Sequence, residues 1–141
     1  GKLLNILLID DDETTNFINS RTLRKAGIVK SIHITENGQE ALDYLICQGP
    51  FSHRTTYPRP DLIFLDINMP IMGGWEFLEI YQTLDAAKQG KVIVVMLTTS
   101  LNDEDYQRAK ENNLISGLIN KPLDRKGLKK VLAAHFQLLT D

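Results

Sequence analysis

The sequence has 141 residues, a length at which one domain with a single hydrophobic core is expected. With 43% hydrophobic and 24% charged residues, the composition is that of an ordinary globular protein and excludes a disordered or fibrous chain. The formal net charge of −2 disfavours nucleic-acid binding. The apolar runs are far shorter than the ~20 residues that cross a bilayer. The lone Cys47 excludes an internal disulfide, and a reducing cytoplasm fits best.

Short apolar runs alternate along the chain with longer segments of helical periodicity, which is the pattern of repeated β-α units. Five strands are predicted, over residues 3–9, 28–35, 61–66, 91–98 and 116–120. Five helices are predicted to follow them, with caps at Asp12 or Thr14, at Asn37 and at Asn102 or Asp103, and with apolar faces in residues 75–84 and 123–139. Residues 48–60 contain three prolines and no apolar period, so an extended loop is expected there.

The carboxyl ends of the predicted strands carry polar residues. Right-handed β-α-β crossovers build an open parallel sheet with helices on both faces, and ligands then bind beyond these strand ends. The strand ends carry Asp10-Asp11-Asp12, Asp66, Thr98-Thr99-Ser100 and Asn120-Lys121-Pro122. We therefore expect acids, hydroxyls and one amine to meet at one edge of the sheet.

The acids at this edge indicate a site for a metal ion. Carboxylates within about 5 Å of one another repel and raise each other's pKa unless a cation neutralises them. Mg²⁺ prefers oxygen ligands, and one or two carboxylates with a backbone carbonyl suit it, whereas the Cys and His ligands of zinc are missing from the strand ends. A flavin phosphate would be repelled by Asp10, Asp11 and Asp12, which disfavours a flavin site.

An aspartate, an amine and a hydroxyl beside a divalent ion are the groups that phosphoryl transfer uses. Asp66 is placed to attack a phosphoryl group and to hold it as an aspartyl phosphate, because this transfer depends mainly on positioning and charge stabilisation. Lys121 supplies a positive charge for the phosphoryl oxygens, and Thr98 supplies a hydroxyl donor. The remaining acids then hold the metal ion.

Four motifs together resemble the receiver domain of bacterial response regulators, as in the chemotaxis response regulator. They are Ile-Leu-Leu-Ile-Asp-Asp-Asp at 6–12, Asp-Leu-Ile-Phe-Leu-Asp-Ile-Asn-Met-Pro-Ile-Met-Gly-Gly at 61–74, Met-Leu-Thr-Thr at 96–99 and Asn-Lys-Pro at 120–122. The resemblance covers essentially the whole chain. It implies a doubly wound α/β fold of the flavodoxin-like type with strand order 2-1-3-4-5, and one receiver domain over residues 1–141 without a separate output domain.

The resemblance also implies roles for individual residues. Asp66 would be the phosphoacceptor, Thr98 would bond to a phosphoryl oxygen, and Lys121 would pair with that group. Mg²⁺ would be held by four residues: Asp11 directly, Asp10 through water, Asp66, and Asn68 through its backbone carbonyl.

The family further implies the partners and the type of activity. The phosphoryl donor would be a sensor histidine kinase or a histidine phosphotransfer protein, and the output would pass to a downstream protein. A homodimer through the fourth helix, fifth strand and fifth helix is expected by the same analogy. The chain would be a cytoplasmic signalling phosphoacceptor rather than an enzyme, although it would catalyse its own phosphorylation and slow dephosphorylation. No direct contact with nucleic acid or membrane is expected.

Several positions depart from the common receiver pattern. Leu118 stands where many receivers have a Tyr or Phe that acts as a rotameric switch, and Thr99 is bulkier than the usual residue after the conserved threonine. Gly73 stands where Asp is frequent. Gly74 is the turn glycine, which we expect to use its conformational freedom in the loop before the third helix.

The predicted fourth helix has only two candidate apolar contacts within it, Tyr106 and Ala109. Little apolar area would therefore hold this helix to the sheet, and it should be the easiest helix to shift. We hypothesise that phosphorylation biases a two-state equilibrium of the loop and helix after Thr98, and so changes the face formed by the fourth helix, fifth strand and fifth helix.

Two other functions remain open on the sequence alone. One is a Mg²⁺-dependent phosphohydrolase with an aspartate nucleophile, although Asn68 stands where such enzymes commonly have a second acid that acts as general acid and base. The other is a degenerate receiver that only binds a partner, which Leu118 and Thr99 suggest. Retention of Asp11, Asp66 and Lys121 favours the phosphoacceptor over both.

Overall fold

The computed structural model describes residues 3–53, 56–84, 92–99 and 102–136. The strands are β1 (Leu4–Ile9), β2 (Val29–Thr35), β3 (Leu62–Asp66), β4 (Ile93–Thr98) and β5 (Ile115–Asn120). The helices described are α1 (Glu13–Lys25), α2 (Gly38–Ile46), α3 (Gly74–Tyr81), α4 (Asp103–Glu111) and α5 (Arg125–His135), with a 3-10 turn at Gly49–Phe51. The five strands form one parallel sheet in the order β2-β1-β3-β4-β5, which confirms the predicted fold.

The core lies on both faces of the sheet, because successive residues of a central strand point to opposite sides. Leu7 and Ile63 pack into a cluster that includes residues of α2 and α3. Their neighbours Leu8 and Phe64 pack into a second cluster with residues of α1 and α5. The continuous Leu and Ile content of β1 and β3 therefore reflects burial on both faces, whereas the edge strands β2 and β5 are more exposed.

Helix caps fix where the chain leaves the sheet edge that carries the candidate site. Asp12 caps α1, Asn37 caps α2 and Asn102 caps α4, which settles the two caps that the sequence left open. Asp124 caps α5 and was not predicted. Most predicted element ends differ from the observed ones by one or two residues. The predicted positions 91, 100 and 139 lie outside the described residues.

A group of four rings covers the side of the molecule next to β2. His33 on β2, Tyr44 on α2, and Phe51 and Tyr57 from the following loop have ring centroids 5.1 to 6.0 Å apart where they contact. The Tyr44 hydroxyl also donates a hydrogen bond of 2.7 Å to the carbonyl of Pro58. The described parts of the predicted loop 48–60 are therefore packed against the domain through aromatic contacts. Within the described ranges, no helix is long and apolar enough to cross a membrane.

Candidate functional site

The carboxyl ends of four strands bring the predicted site residues together. Asp10 follows β1, Asp66 ends β3, Thr98 ends β4 and Lys121 follows β5. Pairing of Ile9 with Leu65 in register places Asp10 beside Asp66. Asp10, Asp66 and Thr98 are at most 8% exposed, which is unusual for polar side chains. The convergence of these residues at one edge, expected from the strand order, is confirmed.

Lys121 links two of the acids. Its Nζ atom lies 2.7 Å from Oδ2 of Asp10 and 3.2 Å from Oδ1 of Asp66. Its backbone N–H donates to the carbonyl of Thr98 at 2.8 Å, so the loop after β5 is held to the end of β4. Burial favours the neutral amine, but the hydrogen bonds and charges of Asp10 and Asp66 outweigh it and raise the pKa of Lys121 above its ordinary value. Lys121 therefore carries its full positive charge at neutral pH.

Asp66 experiences opposing effects. Burial and the negative charge of Asp10 raise the pKa of the Asp66 carboxyl above its ordinary value, although the ion pair with Lys121 lowers it in part. The residues around Asp66 therefore stabilise its ionised form less than water does. An additional cation at this position would relieve that deficit.

A metal ion fits the donor set of this edge. Asp10, Asp11 and Asp66 each place a carboxylate oxygen such that the three oxygens lie within 4.8 Å of one another. Asp11 is exposed, so the cluster is open to solvent on its side. Among the described residues, the cation paired with these three carboxylates is the ammonium group of Lys121. The cluster therefore has a local charge of about −2, which a hard divalent cation would balance. Asn68 is exposed in the loop two residues after Asp66.

Asp12 serves α1 rather than the cluster. Its carboxylate accepts from the backbone N–H of Thr14 and from the hydroxyl of Thr15, and the Thr15 bond lowers the pKa of Asp12. The Asp12 backbone N–H donates to Oδ1 of Asp10 at 2.9 Å. Of the two caps predicted for α1, Asp12 or Thr14, the structure has Asp12, and the same turn orients Asp10.

Two asparagines of α1 support the site and were missed from the sequence. Asn16 Nδ2 donates to the backbone carbonyl of Asp10 at 2.9 Å. Asn19 Oδ1 accepts from the N–H of Leu123 at 2.8 Å and so holds the loop that carries Lys121. Both are buried, and with Leu23 they occupy the inward stripe of α1. Both asparagines occupy positions of α1 where the helical period predicts an apolar residue. This is the signal in the sequence that could have identified them.

The loop between β3 and α3 corrects one expectation. Gly74 does not have a positive φ; the non-glycine residue in this loop that does is Ile71, at 66°. Gly74 is required for space, because a Cβ there would lie 2.4 Å from the carbonyl oxygen of Asp66. Its N–H also donates to the carbonyl of Ile67 at 2.8 Å. The start of α3 is thus packed directly on the backbone of Asp66.

Two departures from the receiver pattern are visible in the structure. Leu118 on β5 is half-buried and packs against the core cluster shared with α2 and α3. Thr99 is exposed directly after Thr98 at the rim of the site. Neither residue displaces the acids or Lys121 from their common edge.

Comparisons with known proteins match this architecture. The family model of the response regulator receiver domain matches residues 6–133. The probable methanogenesis regulatory protein FilR2 of Methanothrix harundinacea is 32% identical over 127 residues, which make up 90% of this chain and 77% of that protein. The structure of a two component response regulator from Cytophaga hutchinsonii matches with a TM-score of 0.84 at 28% identity, covering 98% of this chain and 100% of the other.

A further relative has a metal-bound structure. Response regulator Rcp1 of Synechocystis is 36% identical over 101 residues, 71% of this chain and 65% of Rcp1. The Mn²⁺-bound form of Rcp1 matches with a TM-score of 0.77 at 25% identity, covering 98% of this chain and 99% of the other. Receiver domains bind a divalent metal and act with histidine kinases or phosphotransfer proteins. The chain belongs to the response regulator receiver domain family, whose general function is to accept a phosphoryl group in two-component signalling.

Proposed function

We propose that Asp66 is the residue that accepts the phosphoryl group, and that Lys121 and Thr98 stabilise it there. The observation that carries this assignment is the contact of Lys121 Nζ with both Asp10 and Asp66, at 2.7 and 3.2 Å. Once the Asp66 carboxylate has become an acyl phosphate, the Lys121 ammonium can pair with an oxygen of the new phosphoryl group. Thr98 is buried at the end of β4, which pairs with β3 and ends at the same sheet edge as Asp66.

In the transfer, a carboxylate oxygen of Asp66 attacks the phosphorus of a phosphohistidine. The new O–P bond forms as the P–N bond to the donor imidazole breaks, and the bonding pair returns to that nitrogen. Asp66 supplies the nucleophile, and the rest of the site contributes positioning and charge balance. The donor is a sensor histidine kinase or a histidine phosphotransfer protein.

We assign the metal as Mg²⁺, held by Asp11 directly, by Asp10 through water, by Asp66, and by the backbone carbonyl of Asn68. The support is the set of three carboxylates within 4.8 Å of one another and the Mn²⁺-bound form of the relative Rcp1. When bound, the ion neutralises negative charge on the carboxylates and on the phosphoryl oxygens. Asp10, held by Asn16, Asp12 and Lys121, orients the other groups around it.

The proposed output surface consists of α4, β5 and α5. β5 is an edge strand, so this side of the sheet is available to another protein. The last helix adds four exposed cations, Arg125, Lys126, Lys129 and Lys130. Through this surface the chain would switch a downstream protein, and a homodimer on the same surface is part of the proposal.

The protein acts in the cytoplasm as a signalling phosphoacceptor that turns over only its own phosphoryl group.

Incubation with acetyl phosphate and Mg²⁺, followed by intact mass measurement, tests the assignment. We expect one added phosphoryl group on the wild type and none on Asp66→Ala. Asp103→Ala, which removes an exposed acid of α4 outside the site, is the matched control and should be phosphorylated normally. Phosphorylation of Asp66→Ala at the wild-type level would contradict the assignment, and sustained turnover of small phosphate esters would favour a phosphohydrolase.

A further inference from the structure

Trp75 lies on the first turn of α3 and contacts α4. Its indole Nε1 donates a hydrogen bond of 3.2 Å to Oδ1 of Asp105, in the first turn of α4. The guanidinium of Arg108, one turn further along α4, lies 4.4 Å from the centroid of the indole ring. Arg108 also reaches Glu79 on α3 at 3.6 Å. One side chain of α3 thus makes a hydrogen bond and a cation–π contact to α4.

The backbone that carries Trp75 is fixed to the phosphoacceptor loop. The preceding residue, Gly74, donates its N–H to the carbonyl of Ile67, and its Cα packs so closely on the carbonyl of Asp66 that a Cβ would lie 2.4 Å away. A shift of residues 66–67 is therefore passed to the first turn of α3, because there is no free space between them.

Apart from its contacts with α3, little holds α4 to the rest of the domain. Ala109 is its one buried residue, which confirms the small apolar contact expected for this helix. Within the described part of the chain, the side-chain bonds from α4 to another element all reach α3, through Asp105 and Arg108. The indole is therefore one of the groups that fix where α4 lies.

The indole also has space to change position. A cavity of about 310 Å³ opens between the β3–α3 loop and α3, lined by Asn68, Met69, Trp75 and their neighbours. Asn68, the residue whose carbonyl we assign to the metal, and Trp75 both line this cavity. A shift that reaches α3 through the backbone can therefore move the indole into this space.

We propose that Trp75 is a positioning residue that transmits phosphorylation of Asp66 to α4 through Asp105 and Arg108. The inference rests on the proposed phosphorylation of Asp66. Leu118 on β5 offers neither a ring nor a hydroxyl for this task, whereas Trp75 offers a hydrogen-bond donor and a ring in direct contact with α4. Phosphorylation of Asp66 moves the loop, the loop moves the indole, and the contacts of the indole with Asp105 and Arg108 change.

Amide hydrogen exchange of residues 103–111, with and without Mg²⁺ and beryllofluoride, tests the proposal. In the wild type, we expect beryllofluoride to change the exchange rate of α4 by about five- to seventyfold, the range that the loss or gain of one hydrogen bond and one cation–π contact allows. Trp75→Leu should abolish this difference while exchange of β1 and β3 stays unchanged. Trp75→Phe keeps a ring without the donor and should restore part of it. Tyr106→Leu, an exposed change on α4 itself, should keep it in full.

A spectroscopic measurement gives an independent test, because the sequence has a single tryptophan. Its fluorescence should change when beryllofluoride and Mg²⁺ are added to the wild type, and should not change in Asp66→Ala. Asp105→Asn keeps the indole and the helix but weakens the acceptor, so the change should be smaller.

The outcomes separate this inference from the function on which it rests. Trp75 touches none of the reacting groups, so Trp75→Leu should still gain a phosphoryl group from acetyl phosphate by intact mass. A Trp75→Leu protein that is phosphorylated and keeps the wild-type response of α4 would overturn the inference alone. A wild type that takes up no phosphoryl group would overturn the proposed function, and this inference with it.

Discussion

The Nζ atom of Lys121 lies 2.7 Å from Oδ2 of Asp10, although these residues follow the fifth and the first strand of the sheet. The parallel topology produces this contact, because every strand ends at the same edge and β1 and β5 flank β3 and β4. The ammonium also reaches Asp66, so one cation holds two buried acids. The charge balance of the site therefore depends on Lys121 until a divalent ion is present.

Lys121→Met should destabilise the protein, because it leaves Asp10 and Asp66 buried without their cation. We expect a loss on the order of 3 kcal/mol in the free energy of unfolding, measured by urea denaturation without divalent ions. Lys130→Met, an exposed lysine of α5, is the control and should change stability by less than about 0.5 kcal/mol. Equal stability of Lys121→Met and the control would show that the ion pairs do not stabilise the fold.

Asp66→Asn should stabilise the metal-free protein. The raised pKa of Asp66 means that the folded state disfavours its charge, and the amide removes that charge at nearly constant volume. We expect a gain of roughly 1 kcal/mol in chelator-treated protein. Mg²⁺ at ten times its Kd should stabilise the wild type by about 1.4 kcal/mol and the variant by less. A variant that is less stable than the wild type without metal would contradict this account of the site.

Gly74→Ala should disrupt the junction between Asp66 and α3. Its Cβ would lie 2.4 Å from a backbone oxygen that cannot move freely, so we expect a loss of about 1–3 kcal/mol in the free energy of unfolding and reduced phosphoryl uptake. Gly117→Ala on β5 is the matched control. Its Cβ would lie 3.7 and 3.8 Å from the methyl groups of Val95, which is ordinary van der Waals contact. Comparable losses in the two variants would show that the close approach at Gly74 is unimportant.

His33 should make stability depend on pH through the packing of the loop after α2. Burial lowers the pKa of His33 in the folded state, so below about 6.5 the unfolded chain binds a proton that the folded protein binds less readily. Stability should therefore fall as the pH decreases from 6.5 to the folded pKa. Urea denaturation between pH 8 and 5 should show a smaller decrease for His33→Phe than for the wild type, whereas the exposed-site variant His135→Gln should match the wild type.

The fold and the central acids could be predicted because their signals are local. The continuous apolar content of β1 and β3 indicates burial on both faces, and polar residues directly after a strand must lie at its carboxyl end. The hydrogen bond of Trp75 to Asp105 could not be predicted in this way. It depends on the rotation of two helices about their axes and on their separation, and neither quantity is encoded in the spacing of residues within one helix.

Gly74 shows a second limit of sequence interpretation. A glycine before a helix is readily explained by conformational freedom, yet here the backbone is ordinary and the lack of a side chain matters. The requirement arises from the carbonyl of Asp66, which only tertiary packing brings near. Asn16 and Asn19 could be predicted in part. The sequence shows their positions on the inward stripe of α1, but it does not show their hydrogen-bond partners.

The central claim is that Asp66 accepts a phosphoryl group at a site completed by a divalent ion and Lys121. The most direct measurement is the intact mass of the wild type after acetyl phosphate treatment with Mg²⁺ and with chelator, followed by peptide mapping of the product. The account predicts one added phosphoryl group, located in the peptide that contains Asp66 and formed only with the metal. Uptake that is independent of metal, or located on a peptide without Asp66, would contradict it.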